Sequence, residues 1–461
     1  MDPITIPNIS IPTISIPTIG IPSVGFPSAS GGGGLSWPAG MKEHIKAIYD
    51  PASQGMTNYD VIEAYVENFT TWNYLSSRGS ATVTTNKIII TKSFSNTQNI
   101  IEDNKSPYDD IKIYVTGISE DNPLTINQYV DNKWVRLHTY TTDGIYIVKN
   151  RNLYVGFGTY ITDDCNITIT QLPTSILKDL SGNGNHAYLY GGKGKLNSGM
   201  GLYKVDFTSW RKSSVQTEVK PDVVKVTPNT SDYLFIQYAN SVEIPSYKIK
   251  VIGLGDNVLK YQYATENGRK EINIVEGENE LPTSIKVSND YQIGYRLTPG
   301  TSVFTITQIP DYPDQLCYDG GMCAVAYEFP ILTDYTIIAD RTWFDIRDIS
   351  CFIGKRNGSG DNLGAFEFEF RANKTFSFGG DNNIIFADNN IVYQTKNSYN
   401  GAEIKSGSLD DTDVLIIGAA QRNVNDKAQD PYIGCHGKII IADRSFTEDE
   451  ITWLKDNWEK I

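Results

Sequence analysis

Asn166-Ile167-Thr168-Ile169-Thr170-Gln171-Leu172-Pro173 alternates polar and apolar side chains, and Val303-Phe304-Thr305-Ile306-Thr307-Gln308-Ile309-Pro310 repeats the pattern. Side chains on a strand point to opposite faces in turn, so each stretch reads as a strand with one buried face. A second matching pair lies upstream. Ile113-Tyr114-Val115-Thr116-Gly117-Ile118 corresponds to Ile249-Lys250-Val251-Ile252-Gly253-Leu254. Gly117 precedes Pro173 by nearly the same distance as Gly253 precedes Pro310. Agreement in both motif and spacing predicts two copies of one β-sandwich module, over 69–173 and 217–315.

The rest of the chain fits an all-β protein. Short runs of Ile, Val, Thr, Tyr and Phe are punctuated by Asn-Gly and Gly-Gly turn signals. Charged residues make up 20% and hydrophobic residues 40% of 461 residues, which is too apolar for a disordered chain and long enough for several domains. A net charge of −14 with scattered Lys and Arg argues against nucleic acid as a partner. No apolar run approaches the ~20 residues needed to span a bilayer, so no membrane insertion is expected. The start, Met1-Asp2-Pro3-Ile4-Thr5, has neither a basic nor an apolar signal-peptide region. Five cysteines, Cys165, Cys317, Cys323, Cys351 and Cys435, form no spaced framework. Cys317 and Cys323 could pair around the intervening turn, but free thiols are the expectation.

Ile6-Pro7, Ile11-Pro12, Ile16-Pro17, Ile21-Pro22 and Phe26-Pro27 recur every five residues. Each proline removes a backbone donor and extends the residue before it, which excludes a helix. An odd period also alternates the missing donors between both edges, which disfavours a central strand. Such a ribbon, on the order of 80 Å long, cannot bury its own isoleucines. It needs a groove on another protein, or sister chains, to cover them. Residues 1–34, ending in Gly31-Gly32-Gly33-Gly34, therefore read as an anchoring arm and a flexible joint.

Three pieces resemble parts of one laminin-G-like, concanavalin-type jelly roll. They are Ile48-Tyr49-Asp50-Pro51 through Asp60, the run Leu177-Lys178-Asp179-Leu180-Ser181-Gly182-Asn183-Gly184-Asn185-His186, and Gly437-Lys438-Ile439 through Ile451. The last piece also carries a helix signal of its own. Thr447 and Glu450 form a capping box, and Ile451, Leu454 and Trp458 share one helical face. The jelly roll is thus expected in three parts, 35–68, 174–216 and 316–461, with the modules grafted into its loops. Chains that join such an opening segment to this jelly roll are similar to virion proteins of Bacteroidales phages, crAss-like phages among them. That resemblance implies a fibre or decoration protein of a bacteriophage virion, assembled in the host cytoplasm. It would be a homo-oligomer held by its arm to capsid or tail proteins, with β-domains facing host-cell glycans.

Chemistry is sparse. Glu367 and Glu369 in Phe366-Glu367-Phe368-Glu369-Phe370 share one strand face at a separation that suits glycoside hydrolysis. The glucanase branch of this superfamily has an E-x-D-x-E type run, and position 371 here is Arg, so a strand with outward charges is the simpler reading. His44, His138, His186 and His436 show no metal-ligand spacing; only His186 and His436 invite a shared site. Asp319, Asp361, Asp381, Asp426 and Asp430 lie in Gly/Asn-rich loops that could offer oxygen ligands to Ca²⁺. No D-x-D-x-D-G loop accompanies them, and solvated turns are expected. For carbohydrate, Trp343, Tyr393, Tyr399 and Tyr432 are the candidate aromatic platforms. The expectation is a non-enzymatic virion protein; the alternatives are a bacterial surface lectin and, third, a polysaccharide depolymerase.

Overall fold

A computed structural model describes residues 35–74, 80–92, 100–101, 110–149, 155–159, 166–194, 197–212, 216–228, 233–345, 349–355, 366–371, 375–377, 384–385, 391–404, 412–422 and 427–461. The anchoring-arm residues Ile6, Pro7, Ile11, Pro12, Ile16, Pro17, Ile21, Pro22, Phe26 and Pro27 lie outside them.

The described chain is all-β, with antiparallel sheets and one α-helix, Glu448–Asp456. Two eight-stranded sheets form the jelly-roll sandwich. The first is ordered Gly199–Leu202, Asp311–Asp319, Ile433–Ala442, Thr336–Asp345, Ile391–Thr395, Ser398–Tyr399 and Ala402–Glu403, with Ile45–Tyr49 also paired to Ile433–Ala442. The second is ordered Ile176–Leu177, Ala187–Tyr190, Cys323–Ala326, Leu415–Ile417, Ile349–Lys355, Phe366–Arg371, Thr375–Ser377 and Ile384–Ile385. Between the sheets, Ala47, Leu316, Ile337, Ile439 and Ile441 of the first meet Leu189, Ala324, Phe352 and Leu415 of the second in one buried core. Alternate residues of the closing strand face outward. Ile440 and Ala442 pack with Ile451, Leu454 and Trp458 beneath the terminal helix. The expected capping box is formed there, with Thr447 accepting from the Glu450 amide.

The two modules have the same topology. Counting the ten described strands of each in chain order, one sheet runs first, fourth, ninth, sixth, seventh; the other runs second, third, tenth, fifth, eighth. Both orders hold in both copies. Each copy opens with a short 3₁₀ turn, Phe69–Thr71 or Phe207–Ser209, capped by the side chain of Asn68 or Asp206. The Phe of each turn then meets a Trp three residues on, with ring centroids 5.1 Å apart in the first copy and 6.1 Å in the second. Gly117 and Gly253 have φ of +83° and +84°. A Cβ at either would come within 2.0 Å of the Asn166 carbonyl oxygen or 2.8 Å of that of Val303, so the repeated glycine is a steric requirement.

Both boundaries expected for the second module are corrected. The strand Arg211–Lys212 pairs with Tyr233–Tyr238 inside the second module, and Gln216 pairs with Thr227 there, so residues 206–212 and 216 belong to it and not to the jelly roll. Conversely, Asp311–Asp319 pairs with Gly199–Leu202 and Ile433–Ala442, so 311–315 belong to the jelly roll. The two matches that reveal the repeat in the sequence lie at the fifth and tenth strands, which left the module's start undefined.

A buried glutamine ties the ends of each insert together. The Gln171 amide donates to the Glu67 carbonyl at 2.8 Å and accepts from the Glu67 amide at 2.9 Å. Gln308 does the same at Val205, donating at 2.8 Å and accepting at 3.1 Å, and also accepts from Lys204 N at 2.8 Å. Entry and exit of each insert are thereby held side by side. The copies differ in what they touch. Tyr114 of the first packs at a tilt against Tyr327 of the jelly roll, ring centroids 4.4 Å apart, and Ile145 N donates to Glu328 at 2.8 Å. The corresponding residues of the second copy, Lys250 and its cross-strand partner Glu278, are exposed to solvent.

Gln308→Ala strips three backbone groups of their buried partner. Thermal and urea unfolding should show a loss of about 2–3 kcal/mol, with a similar loss for Gln171→Ala. A change under about 0.5 kcal/mol would show that water replaces the side chain.

Candidate functional site

The jelly-roll loop that prompted the resemblance is a clasp on the first strand. Asp179 Oδ1 accepts from the amides of Ile48 at 3.0 Å and Ser181 at 2.9 Å, and Oδ2 accepts from Asn185 N at 3.1 Å and Ser181 Oγ at 2.9 Å. Asn183 Nδ2 donates to the carbonyl of Ile45 at 2.8 Å and Asn185 Nδ2 to that of Lys46 at 2.7 Å. Tyr49 Oη closes the set on the Asn185 carbonyl at 2.6 Å. His186 belongs to this clasp, its Nδ1 accepting from Asp179 N at 3.0 Å. The loop's polar residues are therefore consumed in holding strand Ile45–Tyr49.

His436 sits elsewhere, in the sandwich interior. Its Nδ1–H donates to the Gly437 carbonyl at 2.7 Å, which leaves Nε2 to accept from Tyr318 Oη at 2.9 Å. The ring is neutral, because burial pushes its pKa down to about 4. The two histidines make separate sets of contacts, not a shared site. Among the described residues no group of three or more His, Cys, Asp or Glu side chains is arranged to hold a metal ion. Asp319 is committed to the turn amides of Gly321 and Met322 and to an ion pair with Lys193. Asp430 adopts a left-handed turn conformation, at φ +49°, and Asp361, Asp381 and Asp426 lie outside the described residues. Glu367 and Glu369 stand in strand Phe366–Arg371, and their side chains also lie outside the described residues. Cys317 and Cys323 are buried thiols on opposite sheets of the sandwich and do not bridge the turn between them.

The aromatic candidates for carbohydrate are corrected by burial. Tyr432 is fully buried, with its hydroxyl 2.6 Å from the Thr342 carbonyl and 2.7 Å from that of Cys435. Tyr399 is buried and accepts from buried Arg341 at 3.1 Å. Tyr393 is buried against the terminal helix and donates to Glu448 at 2.8 Å. Trp343 is half-buried, edge-on to Tyr432 at 4.4 Å. Tyr393, Tyr399 and Tyr432 are core rings and offer no open platform.

An open aromatic surface does exist, at a position the sequence did not single out. A cleft of about 570 Å³ is walled by residues 54–64 and 174–178. Tyr59 lines it and is 44% exposed. The Tyr59 hydroxyl donates to Asp222 at 3.3 Å, and the Lys220 ammonium lies 4.7 Å from the ring centroid. Both partners come from the second module. The sequence signal was present in Asn58-Tyr59-Asp60, but nothing in one sequence separates an exposed tyrosine from a core one.

No family model matches the chain, and no curated protein is similar to it. Among solved structures, Trypanosoma rangeli sialidase bound to the inhibitor DANA is 10% identical, covering 81% of this chain and 83% of that one at a TM-score of 0.23. The same sialidase with 2,3-difluorosialic acid, a covalent intermediate, is 11% identical over 89% and 91% at 0.23. A hydroxyethylphosphonate dioxygenase mutant is 5% identical over 57% and 79% at 0.11. At such TM-scores none of these assigns an activity.

The buried histidine yields a signed expectation. An unfolded imidazole protonates near 6.5, the folded one near 4. Between these values the unfolded state holds more protons, so the contribution is present above pH 6.5 and is lost as pH falls toward 4. The stability difference between wild type and His436→Gln should therefore shrink by up to about 1.4 kcal/mol per pH unit on acidification. Asp340, raised to about 6 by burial, pulls the other way but is common to both proteins and drops out. Urea unfolding at several pH values reads the difference, and a flat difference would mean the ring is charged in the fold.

Proposed function

We propose that this chain is a non-enzymatic structural protein of a bacteriophage virion, a fibre or decoration protein held to capsid or tail by its N-terminal arm. Its β-domains face outward and bind glycans of the host surface, and the working form is a homo-oligomer.

The observation that carries the reading is the Ile/Phe-Pro ribbon of residues 1–34, joined to a tightly fastened first strand. The ribbon's apolar side chains need cover from another chain. Its root is fixed on the folded body. Trp37 packs on Trp453 of the terminal helix at 5.0 Å, and the following strand Ile45–Tyr49 is held by Ile433–Ala442 and by the Asp179 clasp. A load on the arm is thus passed into a sheet instead of a loose loop. The two inserts, with their ends tied, widen the body without interrupting that path.

Deletion of residues 1–30 should leave the melting temperature unchanged while abolishing assembly. Light scattering should show an oligomer for the full chain and a monomer for the shortened one, and only the full chain should co-sediment with virus particles. Equal incorporation of both forms would overturn the proposal.

A further inference from the structure

We propose that the cleft beside Tyr59 binds an uncharged hexopyranose oligosaccharide, with one sugar ring stacked on the tyrosine. This rests on the glycan-binding half of the reading above and gives it a location.

The cleft's volume of about 570 Å³ falls in the roughly 300–1,000 Å³ range of small-ligand sites. Its lining alternates in character. Met56, Tyr59 and Ile62 give apolar surface, while Asp60 and Lys178 give an acceptor and a donor. A pyranose has the matching duality, a flat C–H face for the ring and hydroxyls around its edge. Asp60 and Lys178 in the cleft, with Asp222 and Lys220 beside the tyrosine, give two carboxylates and two ammoniums, which balance in charge. Neutral hydroxyls can serve both, whereas an acidic sugar would meet Asp60 with the wrong sign.

The surface is set before any ligand arrives, which spares the cost of ordering it. The Gln54 side chain bonds both backbone groups of Lys178, accepting from N at 2.7 Å and donating to O at 3.1 Å, so the two walls are joined. Asp60 Oδ2 accepts from Thr57 N and Oγ1, each at 2.7 Å, which fixes its carboxylate. Tyr59 is held by Asp222 and Lys220 of the second module. The aromatic plate is therefore positioned across the joint between jelly roll and module, and remains 44% exposed.

The test applies the full chain, Tyr59→Ala and Tyr59→Phe to an array of purified bacterial capsular and O-antigen polysaccharides. Melting curves confirm that the exposed substitutions leave the fold intact. The full chain should bind neutral polysaccharides. Tyr59→Ala should weaken binding at least about tenfold, and Tyr59→Phe, which keeps the ring, should stay within about threefold. Undiminished binding by Tyr59→Ala overturns this cleft while leaving glycan binding in place. Binding confined to acidic polysaccharides and erased by salt overturns the ligand class. An array with no bound glycan overturns both the cleft and the glycan half of the proposed function; arm-driven assembly is judged separately by sedimentation.

Discussion

Strand Ile433–Ala442 is the member on which the sandwich closes. On one edge it pairs with Asp311–Asp319 along its first half and with Ile45–Tyr49 along its second, and on the other edge it pairs with Thr336–Asp345. All but the first of its residues are buried. Its inner residues fill the space between the sheets, and its outer ones receive the terminal helix. First strand, last strand and helix therefore form one cooperative unit, and the root of the arm is part of it. The Asp179 clasp secures the free edge of the same strand Ile45–Tyr49, so the polar loop and the apolar closure hold one element from two sides.

The inserted modules show how one scaffold is adapted to two settings. Their topologies coincide, and both close on a buried glutamine. The sheet face that carries Tyr114 in the first copy carries Lys250 in the second. The aromatic version lies against Tyr327 and becomes part of the body. The charged version is exposed to solvent, and the second copy meets the jelly roll near its base, where Asp222 and Lys220 reach Tyr59. The outward residues thus differ between the copy that lies against the body and the copy whose matching face is open to solvent.

The alternation in Ile167–Gln171 and Phe304–Ile309 was legible because a half-buried strand imposes period two on its own sequence. The capping box at Thr447 was legible because both halves of the interaction lie three residues apart. The start of the second module was harder to see: Asp206-Phe207-Thr208-Ser209-Trp210 shares Phe, Thr and Trp with Asn68-Phe69-Thr70-Thr71-Trp72, but so short a match carries no strand period of its own. The candidate site was the least legible part. Tyr399 and Tyr432 look no different in sequence from Tyr59, and only long-range packing buries the first two. Tyr59 stays at the surface because it sits in a loop whose position is set by Lys178, Lys220 and Asp222, all distant in the chain. The role of Asp179 was hidden for the same reason, since the donors from Ile48 and the acceptors at Ile45 and Lys46 lie well over a hundred residues away.

The pairing of Ile45–Tyr49 with Ile433–Ala442 joins nearly the two extremes of the chain, as does the contact of His44 with Asp443, 399 positions apart. Translation delivers Ile45–Tyr49 well before its partner Ile433–Ala442. At about 5–20 residues per second, the nascent strand waits tens of seconds with an unmatched edge, which is the kind of surface that drives aggregation. The modules face no such delay, because each carries all of its own strands and ties its own ends. The ribosome therefore presents two finished sandwiches strung on an unfinished one, and emergence of Ile433–Ala442 is the event that lets the third assemble.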